Sequence, residues 1–392
     1  MKIDSTNKEI SEVIIGEGAT DAFKCYQCGK CMSTCPWYLV QAVDFLTYRI
    51  PQSVKLGTIT SSEDAEKMAK EVEEIFRCMG CEACKAECPH GVDLPEILRA
   101  VRKILYDYDA APPELKVAVS RAQSFGNPLG EPKEKRNDWC ANSGVNKFDG
   151  KQEYAYYSCC STCYDERLKN VARAGAEILK RGGVSFGIFE EEDQCCCGEE
   201  IRRVGADAIY KQLSETNLSL FKNAGAKRII TSSPHCYTVF RKEYKKIGAD
   251  FEVFHQAQLF SQLLKDKKII PKKAINKKIV YHDPCTLGRQ NDIYDEPRDA
   301  IKSIPGAKLI EIPVFNRRYS LCCGGGGGGV WLDRPKDERI SDIRVKQALD
   351  AGAEILAVAC PYCLQMFEDA VKRMEVNIEV KDIAELLLES LG

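Results

Sequence analysis

The spacing of the cysteines constrains this chain more than any other feature of its sequence. Residues 25 to 36 read CYQCGKCMSTCP and residues 78 to 89 read CMGCEACKAECP, so C-x2-C-x2-C-x3-C-P occurs twice. Three cysteines so close together allow one short loop to surround a metal centre with thiolates, which are soft ligands. The chain has 21 cysteines and no apolar signal segment at its start, which favours metal coordination over disulfides.

Both runs have the spacing of bacterial ferredoxins, in which the fourth cysteine of each run reaches the cluster of the other run. Two 4Fe-4S cubane clusters are therefore predicted, the first on Cys25, Cys28, Cys31 and Cys88, the second on Cys78, Cys81, Cys84 and Cys35. Two zinc sites are the alternative. Zinc is satisfied by two C-x2-C pairs, however, and would leave spare thiols in each run.

The segments around the second run have helical patterns. Residues 61–76 are predicted to form a helix with a serine N-cap and acidic residues in its first turn. A second helix is predicted over residues 93–108, starting at Asp93 or Leu94 with Pro95 in its first turn. Residues 1–110 are thus predicted to be a helical ferredoxin domain.

Residues 111–152 are rich in proline, glycine and charge, which predicts a linker. Cys140 stands alone in this stretch, and we interpret it as a cysteine without a ligand role.

An internal duplication fills the rest of the chain. GAKRIITSSPHCYTVF from Gly225 matches GAEILAVACPYCLQMF from Gly352 at an offset of 127 residues. Short β-rich runs alternate with helical segments in both copies, as in small parallel α/β sheets, and the cysteines follow the predicted strands. The predicted fold class is α+β multidomain: the helical ferredoxin domain, then two duplicated α/β modules over residues 153–270 and 271–392.

The second module has a complete cysteine set. Its predicted metal ligands are Cys285, Cys322, Cys323, Cys360 and Cys363. Six glycines follow the adjacent pair, and glycine lets the backbone pass close to a bulky inorganic core. Gly324, Gly325 and Gly326 are therefore predicted to line the cofactor. A phosphate-binding loop is the alternative, but the lysine and Ser/Thr of a P-loop are absent from the sequence that follows.

The motifs HDPC, CCGGGGG and CPYC resemble the CCG domain of heterodisulfide reductases. A ferredoxin pair followed by two CCG domains is similar to the D subunit of that enzyme, to the K subunit of the sulfite-reductase membrane complex and to the D subunit of benzoyl-coenzyme A reductase complexes. The resemblance implies anaerobic metabolism and a non-cubane 4Fe-4S cluster on the five cysteines of the second module. It also implies that a disulfide is cleaved at that cluster in two one-electron steps.

The first module departs from this pattern, because Ser233 stands where the repeat requires a cysteine. Its remaining predicted ligands are Cys160, Cys196, Cys197 and Cys236, with Cys159, Cys163 and Cys195 as candidate substitutes. A hydroxyl is a weaker iron ligand than a thiolate, so we expect an altered or absent cluster here. A further iron–sulfur cluster in the first module is the alternative.

Histidines adjoin the cysteine motifs. His282, three residues before Cys285, is the first candidate to donate a proton to a leaving thiolate, and His235 and His255 are alternatives. A supporting hydrogen-bond role is the other interpretation of each. His90 is expected to be structural.

Composition limits the partners. The chain has 56 basic and 58 acidic residues, so no basic field is expected to attract nucleic acid. No apolar run approaches the roughly 18 residues that span a bilayer. We expect a cytoplasmic subunit that reaches the inner membrane face only through a partner. Its predicted partners are other redox subunits: a flavoprotein, an iron–sulfur protein or a membrane cytochrome b.

Two functions follow from these predictions. In the first, electrons pass through the two cubanes to the second module for disulfide or thiol chemistry. In the second, the chain is a non-catalytic electron relay inside a larger complex, of the kind formed by benzoyl-coenzyme A reductase or 2-hydroxy-acid oxidases.

Overall fold

The computed structural model describes residues 5–40, 45, 47–59, 65–141, 143–191 and 194–392. These residues form two compact units, each assembled from three stretches of the chain. The helical unit contains Met1–Val119, Glu200–Tyr210 and Gly324–Ile340, and the sheet unit contains Ser120–Glu199, Lys211–Cys323 and Ser341–Gly392. These units group residues by packing, and the domain boundaries at residues 110, 152 and 270 stay a prediction.

Helices precede the first strand. They are α1 (Ser5–Gly16), α2 (Lys30–Thr34), α3 (Arg49–Leu56), α4 (Ala65–Phe76), α5 (Ala83–Glu87), α6 (Leu94–Asp107) and α7 (Pro113–Phe125). Helix α6 begins as predicted, because the Asp93 side chain caps it by accepting the N–H of Glu96 at 3.2 Å. The predicted serine cap of α4 lies outside the described residues. Helix α7 occupies part of the predicted linker.

Two four-stranded parallel sheets follow, which confirms the predicted fold class. The first contains β1 (Tyr154–Tyr157), β2 (Phe186–Ile188), β3 (Arg228–Thr231) and β4 (Glu252–His255), in the order β2-β1-β3-β4. The second contains β5 (Lys278–Tyr281), β6 (Lys308–Ile310), β7 (Ile355–Val358) and β8 (Glu379–Asp382), in the order β6-β5-β7-β8. The strand order is the same in both sheets.

Helices connect and cover these strands, as crossovers between parallel strands require. In the first module they are α8 (Cys160–Tyr164), α9 (Lys169–Arg181), α10 (Glu199–Arg203), α11 (Asp207–Asn223), α12 (Pro234–Thr238), α13 (Tyr244–Lys246) and α14 (Gln256–Lys265). In the second they are α15 (Asp295–Lys302), α16 (Ile340–Asp350), α17 (Pro361–Met374) and α18 (Ile383–Leu391).

The duplication extends to single hydrogen bonds. His255, at the end of β4, accepts the N–H of Ala257 at 3.3 Å and caps α14. Asp382, at the end of β8, accepts the N–H of Ala384 at 2.9 Å and caps α18. Both ends form capping boxes, so the last strand of each module turns into its helix in the same way.

The strands place the cysteines together. Cys160 follows β1 and Cys236 follows β3, while Cys285 and Cys360 follow the corresponding strands β5 and β7. Because the carboxyl ends of parallel strands meet at one edge of a sheet, each module gathers its thiols at that edge.

Candidate iron–sulfur centres

The two cysteine runs near the N-terminus have the same backbone conformation. Gln27 and Gly80, which precede the second cysteine of each run, have positive φ angles of 57° and 62°. Their N–H groups donate to the sulfurs of Cys25 and Cys78, both at 3.4 Å. A five-residue helix follows in each run. Both loops therefore have the same local geometry around their first thiol.

The first predicted ligand set lines one pocket. Cys25, Cys28 and Cys31 of the first run and Cys88 of the second run all contribute to its wall. Cys28 is exposed. The ring of His90, predicted to be structural, packs on Tyr26 at the same pocket, with 4.2 Å between ring centroids.

The second predicted ligand set also comes together. Burial raises the pKa of Cys35 well above its usual range, and the adjacent Cys81 and Cys78 raise it further. Burial likewise raises the pKa of Cys84, followed by the charges of Cys78 and Cys81. Four thiols so close together repel one another as thiolates, and the positive charge of iron offsets that repulsion.

The glycine run belongs to the helical unit and packs against the Cys78 loop. A Cβ atom on Gly326 would lie 2.5 Å from the carbonyl oxygen of Met79, and one on Gly327 would overlap the carbonyl oxygen of Cys78. Arg102 joins the two segments, because its guanidinium donates to Cys78 O at 2.6 Å and to Gly327 O at 3.3 Å. The cofactor-lining role of Gly324, Gly325 and Gly326 stays a prediction. The sequence did not predict the contact between the glycine run and the Cys78 loop.

In the second module, Cys363 is hydrogen-bonded to both Cys323 and Cys360. All three side chains are buried, as is Cys322, while Cys285 is half-buried. Burial alone would raise the pKa of Cys360, but hydrogen bonds with Cys363 and His235 outweigh burial, and its pKa is lowered. Cys360 therefore favours the thiolate, the form that binds metal, whereas burial raises the pKa of its neighbour Cys363 well above the usual range.

In the first module, the predicted ligands also meet. The Cys236 thiol lies 3.3 Å from the sulfur of Cys197, and Cys160 is hydrogen-bonded to Cys196. Ser233, at the N-terminus of α12, is buried. Cys159, one of the candidate substitutes, is hydrogen-bonded to Cys236.

The histidines have different surroundings. His282 is fully buried, and its Nδ1 accepts a hydrogen bond from Arg344 Nε at 3.2 Å. Burial lowers the pKa of His282 well below its usual value, and the positive charges of Arg344 and Arg289 lower it further. Burial also lowers the pKa of His255, to about 4, and its ring caps α14. Both rings are therefore neutral at physiological pH.

His235 is the histidine that reaches from the first module to the second. Its Nδ1 lies 2.8 Å from Glu199 Oε2, and both side chains are buried. The ring packs on Tyr362, with 4.9 Å between ring centroids, and makes the hydrogen bond with Cys360. His235 and Tyr362 occupy equivalent positions in the two modules, at the offset of 127 residues.

The donor set suits iron–sulfur clusters. In the part of the chain that the structure describes, none of the 21 cysteines forms a disulfide. Cys140 differs from the clustered thiols in its hydrogen bond. Its thiol donates to Asn137 O at 3.0 Å, and burial raises its pKa to about 11. That environment favours a protonated thiol, which is a poor metal ligand.

Comparison with known families assigns these regions. Residues 21–92 match a 4Fe-4S dicluster domain, and residues 154–241 and 279–368 match the cysteine-rich CCG domain. The chain is an iron–sulfur protein that joins a ferredoxin pair to two CCG domains.

Relatives share this organisation over almost the whole chain. It is 33% identical to the EtfAB:quinone oxidoreductase of Syntrophomonas wolfei, over 95% of this chain and 58% of that protein. It is 28% identical to the probable iron-sulfur-binding oxidoreductase FadF of Bacillus subtilis, over 95% of this chain and 60% of that protein. The chain therefore spans less than two thirds of the length of these two relatives.

A third relative is of similar length. The D subunit of the dihydromethanophenazine:CoB–CoM heterodisulfide reductase of Methanosarcina mazei is 28% identical, over 94% of this chain and 93% of that protein. The chain is thus homologous to the D subunit of heterodisulfide reductase, which confirms the predicted resemblance. No helix in the described part of the chain is long and apolar enough to cross a membrane.

Proposed function

We propose that this chain is an oxidoreductase subunit that passes electrons through its ferredoxin pair to the second CCG site, where a disulfide is reduced or two thiols are oxidised. Reduction of a disulfide to two thiols consumes two electrons and two protons, and the clusters would supply the electrons one at a time. We propose a flavoprotein, an iron–sulfur protein or a membrane cytochrome b as the partner. The cytoplasmic location stays a prediction.

The glycine run is the observation that carries this proposal. Cys323 is followed directly by Gly324, and Gly326 and Gly327 pack on the backbone of Met79 and Cys78. The chain therefore leads from a predicted ligand of the CCG site to the loop of the second ferredoxin cluster within a few residues. Such a segment suits electron transfer between the two sites.

Replacement of Gly327 by alanine tests this role. Gly327 has a φ of +63°, and an alanine methyl group would also overlap Cys78 O. A left-handed non-glycine residue costs on the order of 1–3 kcal/mol, and the overlap adds to this cost. We expect electron transfer from the ferredoxin pair to the second CCG site to slow at least about tenfold, a barrier increase of about 1.4 kcal/mol, measured by freeze-quench electron paramagnetic resonance.

Gly225→Ala is the matched control. Gly225 has a φ of +69°, and in the described part of the chain no other atom lies within 4 Å of a Cβ atom added there. It therefore carries the same backbone strain without the contact. Equal transfer rates in the two variants would contradict a role for the glycine contact.

An electron relay is the second candidate function. The relative named EtfAB:quinone oxidoreductase supports it, since that name describes transfer between two redox partners. Addition of a thiol to the oxidised protein separates the candidates. A changed paramagnetic spectrum of the second CCG site supports disulfide chemistry, and an unchanged spectrum supports the relay.

We also propose that His235 is a positioning residue of the second CCG site. Glu199 holds Nδ1 of the ring at 2.8 Å, which leaves Nε2 for the hydrogen bond with Cys360. His282, the residue predicted for proton donation, has its Nδ1 occupied by Arg344 instead. Hydrogen bonds to ligand sulfurs raise the reduction potential of iron–sulfur clusters.

His235→Ala is therefore expected to lower the midpoint potential of the second CCG site. We expect the equilibrium constant for its reduction to fall about tenfold, which is about 59 mV for one electron. His235→Gln, which keeps a side-chain N–H, should recover part of this shift. Potentiometric titration followed by paramagnetic resonance measures both, and equal potentials in wild type and His235→Ala would refute the assignment.

A further inference from the structure

Two of the differences between the modules compensate each other. When the two repeats are aligned, Ser233 of the first module matches Cys360 of the second, so the first module lacks a thiol at that position. In the same alignment Cys159 matches Pro284, so the first module has an extra thiol after its first strand. Apart from Cys163 and Cys195, each module therefore offers five cysteines in its cluster-binding segments.

The extra thiol contacts the cysteine that corresponds to Cys363, as Cys360 does. In the second module, Cys363 is hydrogen-bonded to Cys323 and Cys360. In the first module, the sulfur of the equivalent Cys236 lies 3.3 Å from that of Cys197, and Cys236 is also hydrogen-bonded to Cys159. Cys197 corresponds to Cys323 in the repeat, so Cys159 fills the place that Cys360 fills in the second module.

The other candidate substitutes have different partners. The Cys163 thiol donates to the carbonyl oxygen of Ser158 at 3.4 Å, and the Cys195 thiol donates to that of Leu213 at 3.3 Å. Backbone carbonyls hold both thiols, whereas the Cys159 sulfur lies 3.4 Å from Thr162 Oγ1 and is hydrogen-bonded to Cys236.

A buried cation adds independent support for an anionic group at this site. Arg136 is fully buried, and its Nη1 lies 3.9 Å from the sulfur of Cys160. Its Nη2 donates to Ser158 O at 3.0 Å, while its Nε has no hydrogen-bond partner among the described residues. A buried guanidinium requires compensating negative charge, which a thiolate-bound cluster provides.

We infer that Cys159 replaces the ligand lost at Ser233 and that the first module binds an iron–sulfur cluster through Cys159, Cys160, Cys196, Cys197 and Cys236. This inference concerns cluster binding and holds whether or not the proposed electron route is correct. The first module is then an alternatively ligated site rather than an empty scaffold.

Anaerobic iron and sulfide analysis of the full chain tests this inference. With four irons per cluster, the wild type should contain about sixteen irons and Cys159→Ser about twelve. Cys163→Ser is the matched control, because it removes a buried thiol of the same module, and it should retain about sixteen. Cys159→Ser should leave the paramagnetic signals of the ferredoxin pair and the second CCG site unchanged, which shows that the variant folds.

A double variant makes the test independent of the loss of stability in Cys159→Ser. Combining Cys159→Ser with Ser233→Cys moves the thiol to the position used by the second module and should restore about sixteen irons. About twelve irons in the wild type, or equal iron loss in Cys159→Ser and Cys163→Ser, would overturn the inference. Retention of about sixteen irons by Cys159→Ser would overturn it as well.

Discussion

Replacement of Cys323 by alanine is expected to remove the second CCG cluster while the ferredoxin pair remains. Cys323 is buried and hydrogen-bonded to Cys363, and the residues after it are glycines, so no neighbouring thiol can take its place. Iron content should fall by about four per chain, and thiol-responsive paramagnetic signals should disappear. Cys322→Ala should have the same effect.

Cys140→Ser is the control for this loss. The Cys140 thiol is held by a backbone carbonyl and has a raised pKa, so its removal should leave the iron content unchanged. Both variants are compared by anaerobic iron analysis and by paramagnetic resonance before and after thiol addition. A Cys323→Ala protein with the full wild-type spectrum would exclude Cys323 as a ligand.

Loss of either ferredoxin cluster should stop electron delivery to the second CCG site. Cys28→Ser removes an exposed predicted ligand of the first cluster, and Cys81→Ser removes a buried predicted ligand of the second. In both variants we expect the native partner to reduce the second CCG site at least about a hundredfold more slowly, because one electron carrier of the chain is missing. This change corresponds to an increase of about 2.7 kcal/mol in the activation barrier.

A small chemical reductant supplies the control for that experiment. If the second CCG site is intact, dithionite should still reduce it in both variants, since that route does not need the ferredoxin pair. Rapid mixing with the partner, followed by freeze-quench paramagnetic resonance, gives the rates. Full-speed reduction in either variant would contradict the proposed order of electron flow.

The features that depend on local spacing were predictable from the sequence. The eight strands follow β-rich runs such as those at Tyr154–Tyr157 and Ile355–Val358, and the matching strand order follows from the duplication. The Asp93 cap was predictable for the same reason, since an N-cap involves only residues of one turn. The exchange of the fourth cysteine between ferredoxin clusters stays a prediction that the placement of Cys35 and Cys88 supports.

Features that depend on tertiary contacts were not predictable. The contact of Gly326 and Gly327 with the Cys78 loop was not predicted, because a sequence does not show which backbone comes close to a glycine. The sequence left Cys159, Cys163 and Cys195 open as substitutes for the ligand missing at Ser233, because the choice among them depends on which strand ends meet. The contact of His235 with Cys360 depends on packing between the modules. In each case the residue type indicated a special role, and only the fold identified the partner.

The composition of the helical unit has a consequence for biosynthesis. Its last segment, Gly324–Ile340, packs on the Cys78 loop, which lies more than two hundred residues earlier in the sequence. A ribosome must therefore synthesise all the intervening residues before this unit can complete its contacts. Until then the ferredoxin thiols lack part of their final protein covering. The ferredoxin thiols of a nascent chain would thus need protection from oxidants while the intervening sheet modules are made.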